Sequence, residues 1–520
     1  MTLIAAPERP DTASHRHRNN RGLRVLLSVL MTASLTACAD LALDRAPVSA
    51  HTPWQPNSNA IETGAGTPVN PATGFSIPAV PALGKIPQTT DIDPEKPLSL
   101  PELIDIAQRE HPETRLAWNR ARQAALAVGM VEATFLPMLS ANVVGGYQRT
   151  RHPLPNSIAG VSAIDTELSG VVPALALGWL LFDFGQRAAL RDAAAELSFA
   201  QNVLFNATHQ KIIRDVTDQY YQYNTARMRT VLANETLANQ HAVEKAVLAQ
   251  QKAGVATTIE LALARQAVAQ AKLRLVESQG LERNTWLGLL AALGVSPTTQ
   301  LTIAEPVQRT LPTALDPLTE KVISEALTRR PDLVAGYAAV KAAQAGITAA
   351  EADFLPKVWL GAIAAHNRVT FDVVGLPGLS QTATSRGVLV GVSLPLFDGG
   401  LRSARVQEAR MRAENAQTSL EHQQKTAIRE IVAAETLLQT TLQSAHAAAE
   451  LVKTAGTAYD AALTAYKAGV GTVTVAIETA SQLLTARQAW TDAWNASLVA
   501  AANLAFVMGD MTVPKESWLR

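Results

Sequence analysis

The chain has 520 residues, with 45 Lys plus Arg against 45 Asp plus Glu, and this balance leaves no basic surplus for binding nucleic acid. Hydrophobic residues make up 48 % and aromatics only 5 %, so the apolar content is mostly Ala, Leu and Val. The single cysteine rules out a disulfide framework or a cysteine-based metal site, and no run of 18 apolar residues marks a membrane helix.

Residues 1–37 have the layout of a secretory signal. Arg16, Arg18, Arg21 and Arg24 precede an apolar run over 25–31 that is too short to span a bilayer. The run closes on Leu35-Thr36-Ala37-Cys38, which resembles a bacterial lipobox, where the thiol receives a diacylglycerol. Buried lipid chains hold a protein to a bilayer by about 0.8 kcal/mol per methylene. A small core cysteine is the plainer alternative, but the chain's one cysteine stands at the position a lipobox requires. Ala39 follows it, not the aspartate that often signals inner-membrane retention, which points to outer-membrane delivery. Residues 38–97 form a lipidated leader: ten of the 27 prolines fall in 39–97 with no periodicity, as in an extended segment.

Beyond the leader the chain repeats itself. Phe135-Leu136-Pro137 recurs as Phe354-Leu355-Pro356 at an offset of 219, and Leu181-Phe182-Asp183-Phe184-Gly185 as Leu396-Phe397-Asp398-Gly399-Gly400 at 215. Lys252-Ala253-Gly254-Val255 recurs as Lys467-Ala468-Gly469-Val470, again at 215. Such ordered anchors mark a tandem duplication, with a first repeat over 98–297, a linker over 298–316, a second repeat over 317–510 and a tail over 511–520. In the first repeat a helix is predicted over 113–136, strands over 139–148 and 171–181, a long helix over 186–252 and a return helix over 258–293. The second repeat gives 332–355, 357–367, 388–394, 401–467 and 473–508 in the same order. No proline interrupts 174–296 or 396–513, so the 67-residue helices run unbroken, each about 100 Å long at 1.5 Å per residue. Leu190, Leu197 and Leu204, and Val406, Ala413, Leu420, Ala427 and Ala434, recur at seven-residue spacing, as on a coiled-coil seam.

Strands of about 10 residues are long enough to cross a bilayer within a barrel, and Tyr147, Trp179 and Trp359 are placed for an interfacial aromatic girdle. An ordinary hairpin pair in a soluble domain is the competing reading of the strands alone. Four strands cannot close a barrel, and lipid tolerates no open sheet edge. If the strands are in the membrane the chain oligomerises, and a trimer supplies twelve.

The doubled Leu-Phe-Asp-x-Gly, Phe-Leu-Pro and Ala-Gly-Val motifs resemble the TolC-type outer-membrane efflux protein family, in its lipoprotein branch, over Leu98 to Gly509. The resemblance implies a mainly α fold with a small β part: a trimeric α-barrel tunnel of long helical hairpins, with four strands per chain in a 12-stranded transmembrane β-barrel. It implies a homotrimer in the outer-membrane lipid that passes small molecules outward and docks, through a periplasmic adaptor, with an inner-membrane pump. No cofactor is implied. Lys252, Gly254, Val255 and Thr257, with Lys467, Gly469, Val470 and Thr472, match the adaptor-docking tip; a glycine ending a helix at positive φ is the plain reading of the same turns. The family closes its tunnel with inward acids six positions past the turn glycine and, in the second repeat, also nine past it. Glu260 and Glu478 match, Val475 departs from the pattern, and Tyr466 matches a tyrosine at the constriction. Rings of three carboxylates would favour cations; for any one of these residues taken alone, a solvated helix face is the plainer reading.

Asp183-Phe184-Gly185 mimics a kinase motif without the loops that must accompany it, and His241 and Glu244 form at most half a metal site, so no enzyme is expected. Two alternatives remain: a lipid-anchored periplasmic coiled-coil spacer, and the exit duct of a type I protein secretion system.

Overall fold

The computed structural model describes residue 50 and residues 79–85, 92–158, 161–305, 310–312, 315, 317–373 and 379–511. The signal segment, Cys38, most of the leader and nearly all of the tail lie outside the described residues. The chain divides into Met1–Gln88 and Thr89–Arg520. The first unit contributes a 3-10 turn at Pro81–Gly84, and all that follows concerns the second.

Two short strands, β1 (Pro97–Leu98) and later β4 (Thr302–Ile303), pair in parallel and clip the two ends of the first repeat together. Helix α1 (Leu100–Glu110) starts at a reciprocal capping box: Glu102 accepts from the Ser99 amide and hydroxyl, both at 2.8 Å. Its apolar face buries Leu103, Ile104 and Ala107 against Ile212, Val216, Leu289, Leu290 and Leu293, the largest core of the molecule. Each fully buried leucine there contributes about 2 kcal/mol. Helix α2 (Pro112–Ala133) takes proline at its first turn, where the missing N–H costs nothing, and His111 Nδ1 accepts from the Glu113 amide at 3.2 Å.

Strands β2 (Met138–Ile158) and β3 (Val161–Phe182) form the first hairpin, and β5 (Lys357–Val373) and β6 (Leu379–Ser393) the second. They join in one antiparallel sheet of order β2-β3-β5-β6, so β2 and β6 are open edges. The strands run 21, 22, 17 and 15 residues, longer than the predicted stretches. Backbone pairing continues past the end of the apolar pattern, supported by cross-strand partners such as Arg149 and Glu167 at 3.3 Å. The aromatic girdle needs a correction. Trp179 pairs with Leu360 and Trp359 with Leu180, so the two tryptophans point to opposite faces of the sheet. Tyr147 shares the Trp179 face. Trp359 instead lies over Gly391, where any side chain would overlap its ring.

Helices α3 (Gln186–Lys252) and α7 (Leu401–Lys467) have the predicted ends and 67 residues each. The return helices are α4 (Thr258–Leu293) and α8 (Val473–Val507); α5 (Glu320–Arg329) and α6 (Pro331–Ala352) repeat α1 and α2. Long helix α3 packs on α2 and α6 along its first part and on α4 and α8 beyond them, and α7 packs on α6 and α8. The short helices stack end to end beside the long ones: a side chain at Gly294 would meet the His111 Cα at 2.6 Å, and one at Gly509 the Arg329 carbonyl at 2.9 Å. Val406, Leu420, Ala427 and Ala434 are buried in the α7 seam. Leu190, Leu197 and Leu204, by contrast, are exposed in α3. Its contact stripe lies one residue round, at Ala189, Ser198 and Ala200, where Ala200 packs on Ala335 and Ala338 of α6. Among the described residues no helix is long and apolar enough to cross a membrane.

Candidate functional site

Both hairpin tips use the same backbone device. At the first, the Gly254 amide donates to the Gln251 carbonyl and the Val255 amide to the Gln250 carbonyl, both at 2.9 Å, with Gly254 at φ 76°. At the second, the Gly469 amide donates to Tyr466 at 3.0 Å and the Val470 amide to Ala465 at 3.1 Å, with Gly469 at φ 79°. This Schellman geometry satisfies the last carbonyls of each long helix and needs glycine for its left-handed residue. Thr257 and Thr472 then cap the return helices by accepting from the Glu260 and Val475 amides. Lys252 and Lys467 end their helices in solvent, and the turn valines stand clear of the surface, 74 % exposed at Val255 and 83 % at Val470. The two tips meet: Val243, Val247 and Leu261 of the first hairpin pack with Tyr466, Val473 and Ala476 of the second.

The three residues matched to the constriction stand differently. Tyr466 is 4 % exposed, and its hydroxyl has no partner among the described residues. Burial, and then the negative charge of Glu260, push its acidity to higher pH. Glu260 is half-buried and already engaged, because its Oε2 accepts from the Thr257 amide at 2.7 Å and the Thr257 hydroxyl at 3.0 Å. Its first role in one chain is to cap α4. Glu478 is exposed and, among the described residues, accepts only from Gln482 Nε2, at 3.4 Å. The structure therefore brings Glu260 and Tyr466 together and leaves Glu478 one turn further up α8. His241 Nδ1 lies 3.5 Å from Glu244, whose other oxygen takes Arg265 at 3.4 Å. Among the described residues no group of three or more His, Cys, Asp or Glu could hold a metal.

A second duplicated site lies where the sheet meets the long helices, beyond the motifs legible in the sequence. At the start of α3, Asp183 accepts from the Gly185 amide, the Arg187 amide and Arg187 Nε, the last at 2.7 Å. Arg187 also donates to the Thr134 carbonyl at 2.7 Å and lies 4.7 Å over the Phe135 ring. Asp398, Gly400, Arg402 and Phe354 repeat this arrangement, with Arg402 Nε 2.7 Å from Asp398 and 5.1 Å over the ring. The pair with Arg402 holds the Asp398 carboxyl below its ordinary range. These locks join strand, helix and Phe-Leu-Pro turn where sheet passes into shaft. Their sequence signal was Asp-x-Gly-x-Arg at both junctions, two residues past the motif already noted. Asp353 adds an unduplicated tie, accepting from Lys357 Nζ at 2.7 Å and from Gln186 Nε2 at 3.2 Å.

A sequence profile for outer membrane efflux proteins matches residues 103–295 and 322–510, both repeats almost end to end. The chain belongs to the outer membrane efflux protein family. Protein CyaE of Bordetella pertussis is 29 % identical over 398 residues, 75 % of this chain and 80 % of that protein. Outer membrane protein OprJ of Pseudomonas aeruginosa is 26 % identical over 71 % of this chain and 76 % of its own length. The crystal structure of a membrane protein from Pseudomonas aeruginosa superposes with a TM-score of 0.67 at 26 % identity, covering 79 % of this chain and 93 % of the other. The mainly α architecture with an appended sheet is thus the family's, and the efflux protein belongs in the outer membrane.

Proposed function

We propose that three copies of this outer-membrane efflux protein assemble into the exit channel of a tripartite system, passing small molecules from periplasm to exterior. The observation that carries the proposal is the sheet with two free edges on a duplicated shaft: β3 pairs with β5 inside the chain, while β2 and β6, their counterparts in the repeat, each keep one edge unpaired among the described residues. In lipid such edges must be paired, and copies around an axis pair each β6 with the next β2. The two tips, carrying Lys252, Gly254, Val255 and Thr257 and Lys467, Gly469, Val470 and Thr472, form the end that meets a periplasmic adaptor and through it an inner-membrane pump. Glu260 and Glu478, with Tyr466 behind Glu260, form the constriction. Cys38 carries the lipid anchor.

Detergent extracts of the full chain should contain heat-sensitive trimers that give stepwise conductance in planar bilayers. Replacing Glu260 and Glu478 together by Gln should lower the cation-to-anion permeability ratio several-fold, since each change removes a ring of three charges. Unchanged selectivity would retire these two residues as the constriction. A Cys38→Ser protein that is freely soluble and conducts nothing would favour the spacer reading instead.

A further inference from the structure

The channel reading assigns no part to a groove of about 660 Å³ midway along the helical layer, floored by α3 and α8 and flanked by α4 and α7. That volume suits a drug-sized molecule. Helix geometry places it relative to α1. Helix α1 packs on Ile212, Ile213, Val216 and Tyr220 of α3, whereas Arg214, Asp218, Gln222 and Arg229 line the groove. At roughly 100° per residue the two sets lie on opposite faces of α3. In the proposed assembly α1 stands outside the ring of helices, where it leaves the passage clear, and the groove faces that passage.

Leu281, Leu437 and Val499 give the groove apolar walls. Its charges are unequally matched. Arg229 forks onto Asp492 at 2.9 and 2.5 Å. Arg214 is held by Asp215 at 2.6 Å and lies 4.7 Å over Phe506. Asp218 accepts only from the neutral amide of Gln222, at 3.0 Å, with no cationic partner among the described residues. Asn495, which also lines the groove, is 6 % exposed. Its Nδ2 donates to the Thr491 carbonyl at 2.9 Å, while its Oδ1 has no partner among the described residues. A buried acceptor left unpaired is costly, so Oδ1 calls for an N–H or O–H from whatever fills the groove.

We propose that this groove binds a small amphipathic amine, its apolar body against the leucine and valine walls, its positive charge matched by Asp218 and an N–H or O–H donated to Asn495. The proposal names a class of cargo and so rests on the efflux reading, but binding is measured apart from conduction. The full chain in detergent is titrated with monodansylcadaverine, with dansylamide as the neutral control, dansylglycine as the anionic one and empty micelles as background. Saturable binding with a blue-shifted emission is expected for the amine, about fivefold tighter than for dansylamide. Asp218→Asn, at a half-buried position, should erase that preference and keep the trimer. Asn495→Leu should weaken the amine about fivefold. Equal affinity for all three probes, or an undiminished preference in Asp218→Asn, overturns the proposal. Conductance without amine binding would remove the groove and leave the channel; binding without conductance would do the reverse.

Discussion

Two carboxylates show how far a residue's surroundings set what its charge is worth. Glu102 is drawn down to about 2 by the Lys96 ammonium, 2.7 Å away, and then by the amide and hydroxyl of Ser99. A carboxyl whose folded value lies below its ordinary 4.5 adds stability above that pH and loses it as pH falls toward 2. Glu102→Gln should therefore lower the thermal midpoint of the helical signal at pH 6, with the difference from the parent protein closing as pH approaches 2. A difference that stayed constant with pH would show that the charge plays no part. Asp183 sits in drier surroundings, with both it and Arg187 almost wholly buried. Removing one partner of such a pair strands the other charge, a loss of about 3–5 kcal/mol. Arg187→Ala should destabilise the protein by that order in denaturant unfolding, and Arg402→Ala by less, because Asp398 is more open to water. Equal losses at the two locks would count against burial as the cause. The locks also mark a limit of sequence reading: the repeated Leu-Phe-Asp-x-Gly ends two residues before the arginine that neutralises its aspartate.

At the scale of elements the helical shaft was legible, because the absence of proline sets helix length and glycine sets helix ends, both local effects. Strand length was not, since pairing with a neighbour sustains a strand beyond its own apolar pattern. The α3 heptad does not mark a seam within the chain: Leu190, Leu197 and Leu204 are exposed, and the chain's own contacts along that stretch are made by Ala189, Ser198 and Ala200. Duplication lets the missing strand pairing be worked out. In the sheet Gly178 lies opposite Gly361. Carrying the first forward by 215 positions and the second back by 219 gives Ser393 on β6 and Asn142 on β2, which should face each other across two copies. Directly opposed strand residues are close enough for a disulfide. Asn142→Cys with Ser393→Cys should therefore give covalently linked trimers under oxidising conditions, seen by non-reducing electrophoresis, while either change alone should not. Cross-linking that appeared only after shifting one position along β2 would revise the register.

For the whole molecule the question is what covers the faces a single chain leaves bare. Helix α6 buries Ala335 and Ala349 against its neighbours. The equivalent positions on α2 are Leu116 and Met130, and both are exposed. Leu126 belongs to the same unpartnered stripe, 68 % exposed against 67 % for Met130. The repeat thus makes one α6-to-α3 contact inside the chain, and in the proposed assembly its counterpart, α2 against α7, is made with another copy and has bulkier side chains to bury. A contact made of leucine and methionine has more apolar area to lose than one of alanines, and this favours stable assembly once the copies meet. Placing charges on that stripe should act on assembly and spare the chain's own core. Leu126→Glu combined with Met130→Lys should leave the helical content of the purified protein unchanged. The same change should shift its mass in detergent from trimer to monomer by light scattering, and abolish conductance with it. A charged variant that remained trimeric would mean that the sheet edges alone hold the copies together, and that the bare helical stripe meets something other than a second copy.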